Sequence, residues 1–110
     1  MYNRNIAFTK DGKYIFTLPT EKTEDRRFVY VSRNISDRRS NYIKFWLEPE
    51  ISLGEHTQRH VSPAPYESDD LNYSERKEAE DLTRANREQL VSQWDKWYGE
   101  RGTDIDLIEI

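Results

Sequence analysis

Apolar and polar positions alternate through the first half of the chain and then recur at helical spacing along its last third, so the sequence divides into a sheet-forming and a helix-forming part. Ile6 and Phe8, then Tyr14, Phe16 and Leu18, flank the pair Asp11-Gly12. That pair tolerates the positive φ values of a type I′ turn and predicts a β-hairpin. Residues 19 to 27 carry no apolar side chain after Pro19 and read as a solvated loop. Phe28-Val29-Tyr30-Val31 predicts a third strand from its β-branched and aromatic content. Tyr42-Ile43-Lys44-Phe45-Trp46-Leu47 predicts a fourth, closed by Glu48-Pro49 because proline cannot donate to a ladder. Ile51 and Leu53 extend the sheet past that kink, and residues 54–71, with Pro63 and Pro65, read as a long loop.

Ala79, Leu82, Ala85/Asn86, Leu90, Trp94 and Trp97 recur at steps of three and four, which places them on one face of a helix over 72–98. The opposite face is nearly all charged. Asn72 or Ser74 can cap its start, with Glu75 three residues after Asn72, and Gly99 can end it in the left-handed conformation. Asn86 is the polar exception on the stripe, where an unpaired amide would cost about 1–3 kcal/mol, and is expected to bond loop backbone. Residues 103–110 are β-prone and read either as a last strand or as a docking tail. The expected architecture is one α+β domain over 1–110: a small antiparallel sheet of four to five strands, mainly within 1–53, packed against one long C-terminal amphipathic helix.

Composition sharpens this picture. A chain of 110 residues fits one core. Charged residues make up 35%, against roughly 25% in ordinary soluble proteins, so the burden of core formation falls on the 13% of aromatic residues. Cysteine is absent, which removes disulfides and thiolate metal sites. No stretch approaches the roughly 20 apolar residues of a membrane helix, and residues 1 to 6 lack the apolar run of a signal peptide. The expected address is cytoplasmic. The net charge of −4 hides an asymmetry: residues 1 to 44 carry a net +5 and residues 45 to 110 a net −9.

Three groups are candidates for chemistry. His56 and His60 stand at i, i+4, which on a helix would turn both imidazoles to one side, but Gly54, Pro63 and Pro65 crowd the segment and Thr57 occupies the place of a metalloprotease glutamate. Two solvated loop histidines are the plainer reading. Arg26, Arg27, Arg33, Arg38 and Arg39, with Tyr30 among them, have the composition of a surface that holds phosphates and stacks bases. The competing reading pairs these arginines with the acids of the second half. On the helix, Trp94, Trp97 and Tyr98 with Glu78 and Asp81 are candidates for a partner surface, although an aromatic stripe at this spacing also serves as core. Phosphate-binding loops, nucleophile elbows and cysteine nucleophiles are missing, and no cofactor is expected.

Phe28-Val29-Tyr30-Val31-Ser32, then Tyr42 through Pro49, then Ala85-Asn86-Arg87-Glu88-Gln89-Leu90 and Trp94 through Gly99, resemble in order and spacing the small bacterial family called domain of unknown function 4160. The likeness covers roughly residues 27 to 99 and rests on a Lys-Phe-Trp-Leu-Glu-Pro strand and an Asn-Arg-Glu-x-Leu helix. The family's Pro-His-x-His stretch has no counterpart in residues 33 to 41, so no histidine role carries over. The resemblance implies a toxin–antitoxin-like setting and hence a partner more than a substrate. The expected function is therefore a noncatalytic protein-interaction module, one half of such a pair or an inhibitor of a host factor, with a homodimer compatible. The alternative is a small ribonuclease-type toxin or a nucleic-acid-binding module built on the basic first half.

Overall fold

The computed structural model describes residues 3–34, 42–54, 71, 73–99 and 105–110. It is an α+β fold in which a six-stranded sheet carries two helices. In chain order the elements are β1 (Asn3–Phe8), β2 (Tyr14–Pro19), β3 (Phe28–Arg33), β4 (Ile43–Trp46), β5 (Ser52–Leu53), α1 (Tyr73–Ala85), α2 (Arg87–Gly99) and β6 (Ile108–Glu109). The sheet order is β5-β4-β3-β2-β1-β6, antiparallel except where β6 joins β1 in parallel. Among the described residues no helix is long and apolar enough to cross a membrane.

The hairpin forms at the expected place with different turn chemistry. Among the described residues Gly12 alone has positive φ, +74°, so Asp11 does not adopt the conformation a type I′ turn requires. Its carboxylate instead accepts from the Lys13 amide at 2.9 Å and the Thr9 hydroxyl at 2.7 Å, and the Gly12 amide donates to the Thr9 carbonyl. Asp11 thus organises the turn as an acceptor. A register irregularity between Asn5 and Ala7 then sets β1 against β2.

All six residues of β2 are buried, which requires cover on both faces. Pairing puts Phe16 beside Val31 and Val29 beside Phe45 on one face, under α1. On the other face Thr17 lies beside Tyr30, and Tyr30 beside Lys44. The loop expected at 19–27 is mostly exposed, but it lays two side chains back on the sheet. Glu24 forms an ion pair with the buried Lys44, whose ammonium also sits 4.5 Å from the Phe28 ring and 4.1 Å from that of Trp46. The Arg26 guanidinium stacks 4.1 Å above Trp46.

The single helix expected over 72–98 is two helices, broken at Asn86. The Asn86 side-chain amide donates to the Leu82 carbonyl at 2.9 Å, which already accepts the Asn86 backbone amide at 3.1 Å. Asn86 therefore bonds helix backbone rather than a loop, and its competition for the Leu82 carbonyl coincides with the break. Arg87 turns away to donate to the Leu47 carbonyl. Ala79, Leu90 and Trp94 are buried as the stripe implies, together with Thr83 and Gln93. The Thr83 hydroxyl is satisfied by the Ala79 carbonyl at 2.7 Å. Gly99 is the last helical residue and has no positive φ, while Asn72 lies outside the described residues.

Candidate functional site

Among the described residues, two of the exposed large apolar side chains meet where the short edge strand β5 faces the first turn of α1. Ladder pairing sets Leu53 beside Phe45, so both project from the same face of the sheet. Phe45 is buried at 1% exposure, whereas Leu53 is 55% exposed and Tyr73, the first residue of α1, is 84% exposed. These three line a cleft of about 340 Å³ whose rim is completed by Arg76, Lys77 and Glu80. Local sequence explains the geometry. Gly54 lets β5 press against β4, since a Cβ there would stand 2.8 Å from Lys44 Cγ, and its amide donates to the Lys44 carbonyl at 2.8 Å. Tyr73 lies six residues before Ala79, about 240° around the helix, which turns its ring away from the buried stripe.

The rim is unevenly charged. Glu80 pairs with Arg84 at 2.7 Å, and among the described residues Lys77 makes an exposed contact of 3.6 Å with Asp81. Arg76 donates to the Leu71 carbonyl at 3.3 Å and has no carboxylate partner among the described residues. The cleft thus has an apolar floor, two exposed apolar walls and a basic border next to a helix N-terminus.

The residues singled out from sequence lie elsewhere. Trp94 is buried in the core, 4.9 Å from Phe28 and 4.6 Å from Tyr98. Trp97 and Tyr98 are half-buried, and both donate to the Pro19 carbonyl, at 3.1 and 2.6 Å. Arg4 covers the Trp97 ring at 5.6 Å. Glu78 accepts from the Tyr14 hydroxyl at 2.7 Å and from Lys13 at 3.0 Å, and these bonds hold its carboxyl below the ordinary range, the Tyr14 bond foremost. Asp81 is exposed and pairs with Lys77 and Arg84. Glu78 and Asp81 share a shallow depression of about 630 Å³ along α1 with Leu82 and Ala85.

The arginines are largely engaged within the chain. Arg27 bridges Glu48 at 3.1 Å and Asp95 at 2.8 Å, and Arg33 meets Glu75 at 3.1 Å. Arg26 donates to the Glu48 carbonyl at 2.7 Å while stacking on Trp46. Tyr30 stacks on Tyr42 at 4.1 Å, and burial, reinforced by Tyr42, pushes its phenol up to about 12. A group so shifted is a poor base near neutral pH. Arg38, Arg39, His56 and His60 lie outside the described residues.

Sequence reasoning did not find the cleft. Its readable signal is Tyr73, a large aromatic off the apolar stripe of its own helix. Leu53 gives no such signal, because an exposed leucine and a core leucine look alike in a short strand. Comparison with protein-family models, with curated proteins and with solved structures finds no match.

Proposed function

We propose that this chain is a noncatalytic protein-interaction module that receives its partner at the cleft between β5 and α1. The observation that carries this reading is the pair of exposed apolar walls, Tyr73 and Leu53, over the buried floor of Phe45. Isolated exposed apolar residues are common, and it is their placement on one concave, floored surface that supports a docking reading here. Covering each contributes at most about 1.5–3 kcal/mol, and an exposed tyrosine is a favoured anchor at interfaces. The resemblance of residues 27 to 99 to the domain of unknown function 4160 family supports placing the module in a bacterial or mobile-element cytoplasm, as one half of a toxin–antitoxin-like pair or as an inhibitor of a host factor. The ribonuclease or nucleic-acid reading draws less support, because Arg27 and Arg33 are held by carboxylates of the same chain.

The test is capture from the native lysate with the wild-type chain and with a Leu53→Asp, Tyr73→Ala variant as baits, identifying both bound protein and bound nucleic acid. One stoichiometric protein, retained by the wild type and lost by the variant, is the expected result. Nucleic acid that washes off with salt, or a protein held equally by both baits, refutes the reading.

A further inference from the structure

Building on that interaction reading, we propose that the occupant of the cleft is an extended, acidic segment of the partner that adds a strand to the outer edge of β5, seating one apolar side chain between Leu53 and Tyr73 and a carboxylate on Arg76 and Lys77. Four observations converge on this occupant. First, β5 is the outermost strand on its side of the sheet, and its pairing among the described residues is confined to β4. An edge strand offers a row of backbone donors and acceptors that an extended peptide satisfies, which is the basis of recognition by strand addition.

Second, the register fixes where the side chains of an added strand would go. Phe45 and Leu53 are directly paired and share a face, so the residue set opposite Leu53 on the next strand projects from that same face. That face leads to Tyr73. An added strand therefore delivers a side chain into the cleft without any change in β5, and the cleft's volume of about 340 Å³ admits a large apolar one. Third, alternation returns a second side chain to this face two residues along, about 6.6–6.8 Å away. A turn of helix separates Tyr73 from Arg76 and Lys77 by a comparable rise, about 4.5–6 Å. A peptide with an apolar residue at one position and an acidic residue two away thus carries both groups on the face of the sheet that leads to Tyr73 and the basic pair.

Fourth, Arg76 and Lys77 give this end of the cleft a basic border. Lys13, Arg27, Arg33 and Arg84 each face a carboxylate within 3.1 Å, whereas among the described residues Arg76 is bonded to the Leu71 carbonyl and to no carboxylate. The N-terminus of α1 adds its own preference for negative charge. A basic peptide gains nothing from this border, and a neutral one leaves Arg76 unanswered.

The experiment is selection of a random linear-peptide display library on the purified full chain, repeated on Leu53→Asp and on Arg76→Glu, with circular dichroism confirming that each variant keeps the wild-type spectrum. Enrichment of peptides with an apolar residue and an Asp or Glu two positions away is expected. Their affinity should fall about tenfold or more on Leu53→Asp. Selection on Arg76→Glu should replace the acidic position by Lys or Arg, a change of preference that mere loss of folding cannot produce. An absence of enrichment, peptides indifferent to both substitutions, or a Leu53-dependent dimer in sedimentation equilibrium would each overturn the proposal. A native protein partner lost on Tyr73→Ala while selection fails would sink strand addition and leave the interaction reading standing.

Discussion

Gln93 supplies the sharpest test of how this fold is held, because a single buried amide joins three elements. Its Nε2 donates to the Ile6 carbonyl of β1 at 2.9 Å and to the Asp106 carbonyl ahead of β6 at 2.7 Å, while its backbone belongs to α2. Replacing it by leucine keeps the volume roughly constant and removes both bonds. Each bond contributes a net of about 0.5–1.5 kcal/mol, and the carbonyl of Ile6, a fully buried residue, is left without this donor at a cost of about 1–3 kcal/mol. With partial compensation from the added apolar surface, Gln93→Leu should lose about 2–4 kcal/mol. In a domain of this size that lowers Tm by roughly 10–20 °C. Urea unfolding followed by tryptophan fluorescence gives the free energy. Gln93→Glu is the companion variant: its carboxylate would turn lone pairs toward two carbonyls, so it should be worse than leucine near neutral pH and recover in part once acid protonates it. A loss under about 0.5 kcal/mol for leucine, or no pH dependence for glutamate, would refute the assignment of this joint.

The other expectations are of the same kind. Gly54→Ala should destabilise by about 1–3 kcal/mol, because the new methyl meets Lys44 Cγ at 2.8 Å and Cδ at 2.9 Å while that lysine is pinned at its far end by Glu24; an unchanged urea midpoint would show that the strand shifts freely. Glu78 has its folded pKa below the ordinary 4.5, so its contribution to stability is present above that pH and is lost as pH falls through the folded value. Glu78→Gln should therefore flatten the acid limb of the stability curve, and coincident curves would contradict this. Trp94→Ala should cost about 3–5 kcal/mol as a core truncation, whereas Tyr73→Ala, at 84% exposure, should stay within about 0.5 kcal/mol. A Tyr73 variant as unstable as the Trp94 variant would mean that the ring belongs to the fold and not to a docking surface.

Much of the secondary structure was legible because it follows local rules. The runs around Asp11-Gly12, the aromatic strand at Phe28 and the start of the helical stripe at Ala79 each announce themselves within a few residues. What escaped was set by competition over single backbone groups. Asn86 fits the stripe's spacing, and only its second bond to the Leu82 carbonyl marks the break into two helices. Thr83 and Gln93 also fall at stripe spacing from Ala79 and Leu90, but a pattern counted in apolar residues passes over buried polar ones whose role is to meet a carbonyl. Pairing of the arginines with acids of the second half is one of the two readings the sequence leaves open, and Arg27 with Asp95 and Arg33 with Glu75 are such pairs. The cleft depends on where β5 and the first turn of α1 arrive relative to each other, a relation between segments that no local window contains.

The parallel seat of β6 beside β1 also orders events in time. Strands β1 to β4 are neighbours in sequence as well as in the sheet, so their pairings close short loops and can form early. The tail is different: Arg4 donates to the Ile105 carbonyl across 101 residues of chain, and Ala7 pairs with Ile108. Its anchor, Gln93, comes into position only when α2 has settled. The tail's pairing thus closes the longest loop among the described strand pairs, and with two residues in its ladder it is expected to join late and to open early. In native-state hydrogen exchange the amide of Ile110, which donates to the Phe8 carbonyl, should open well before those of β2 and β3, so that the tail exchanges as a unit separate from the centre of the sheet.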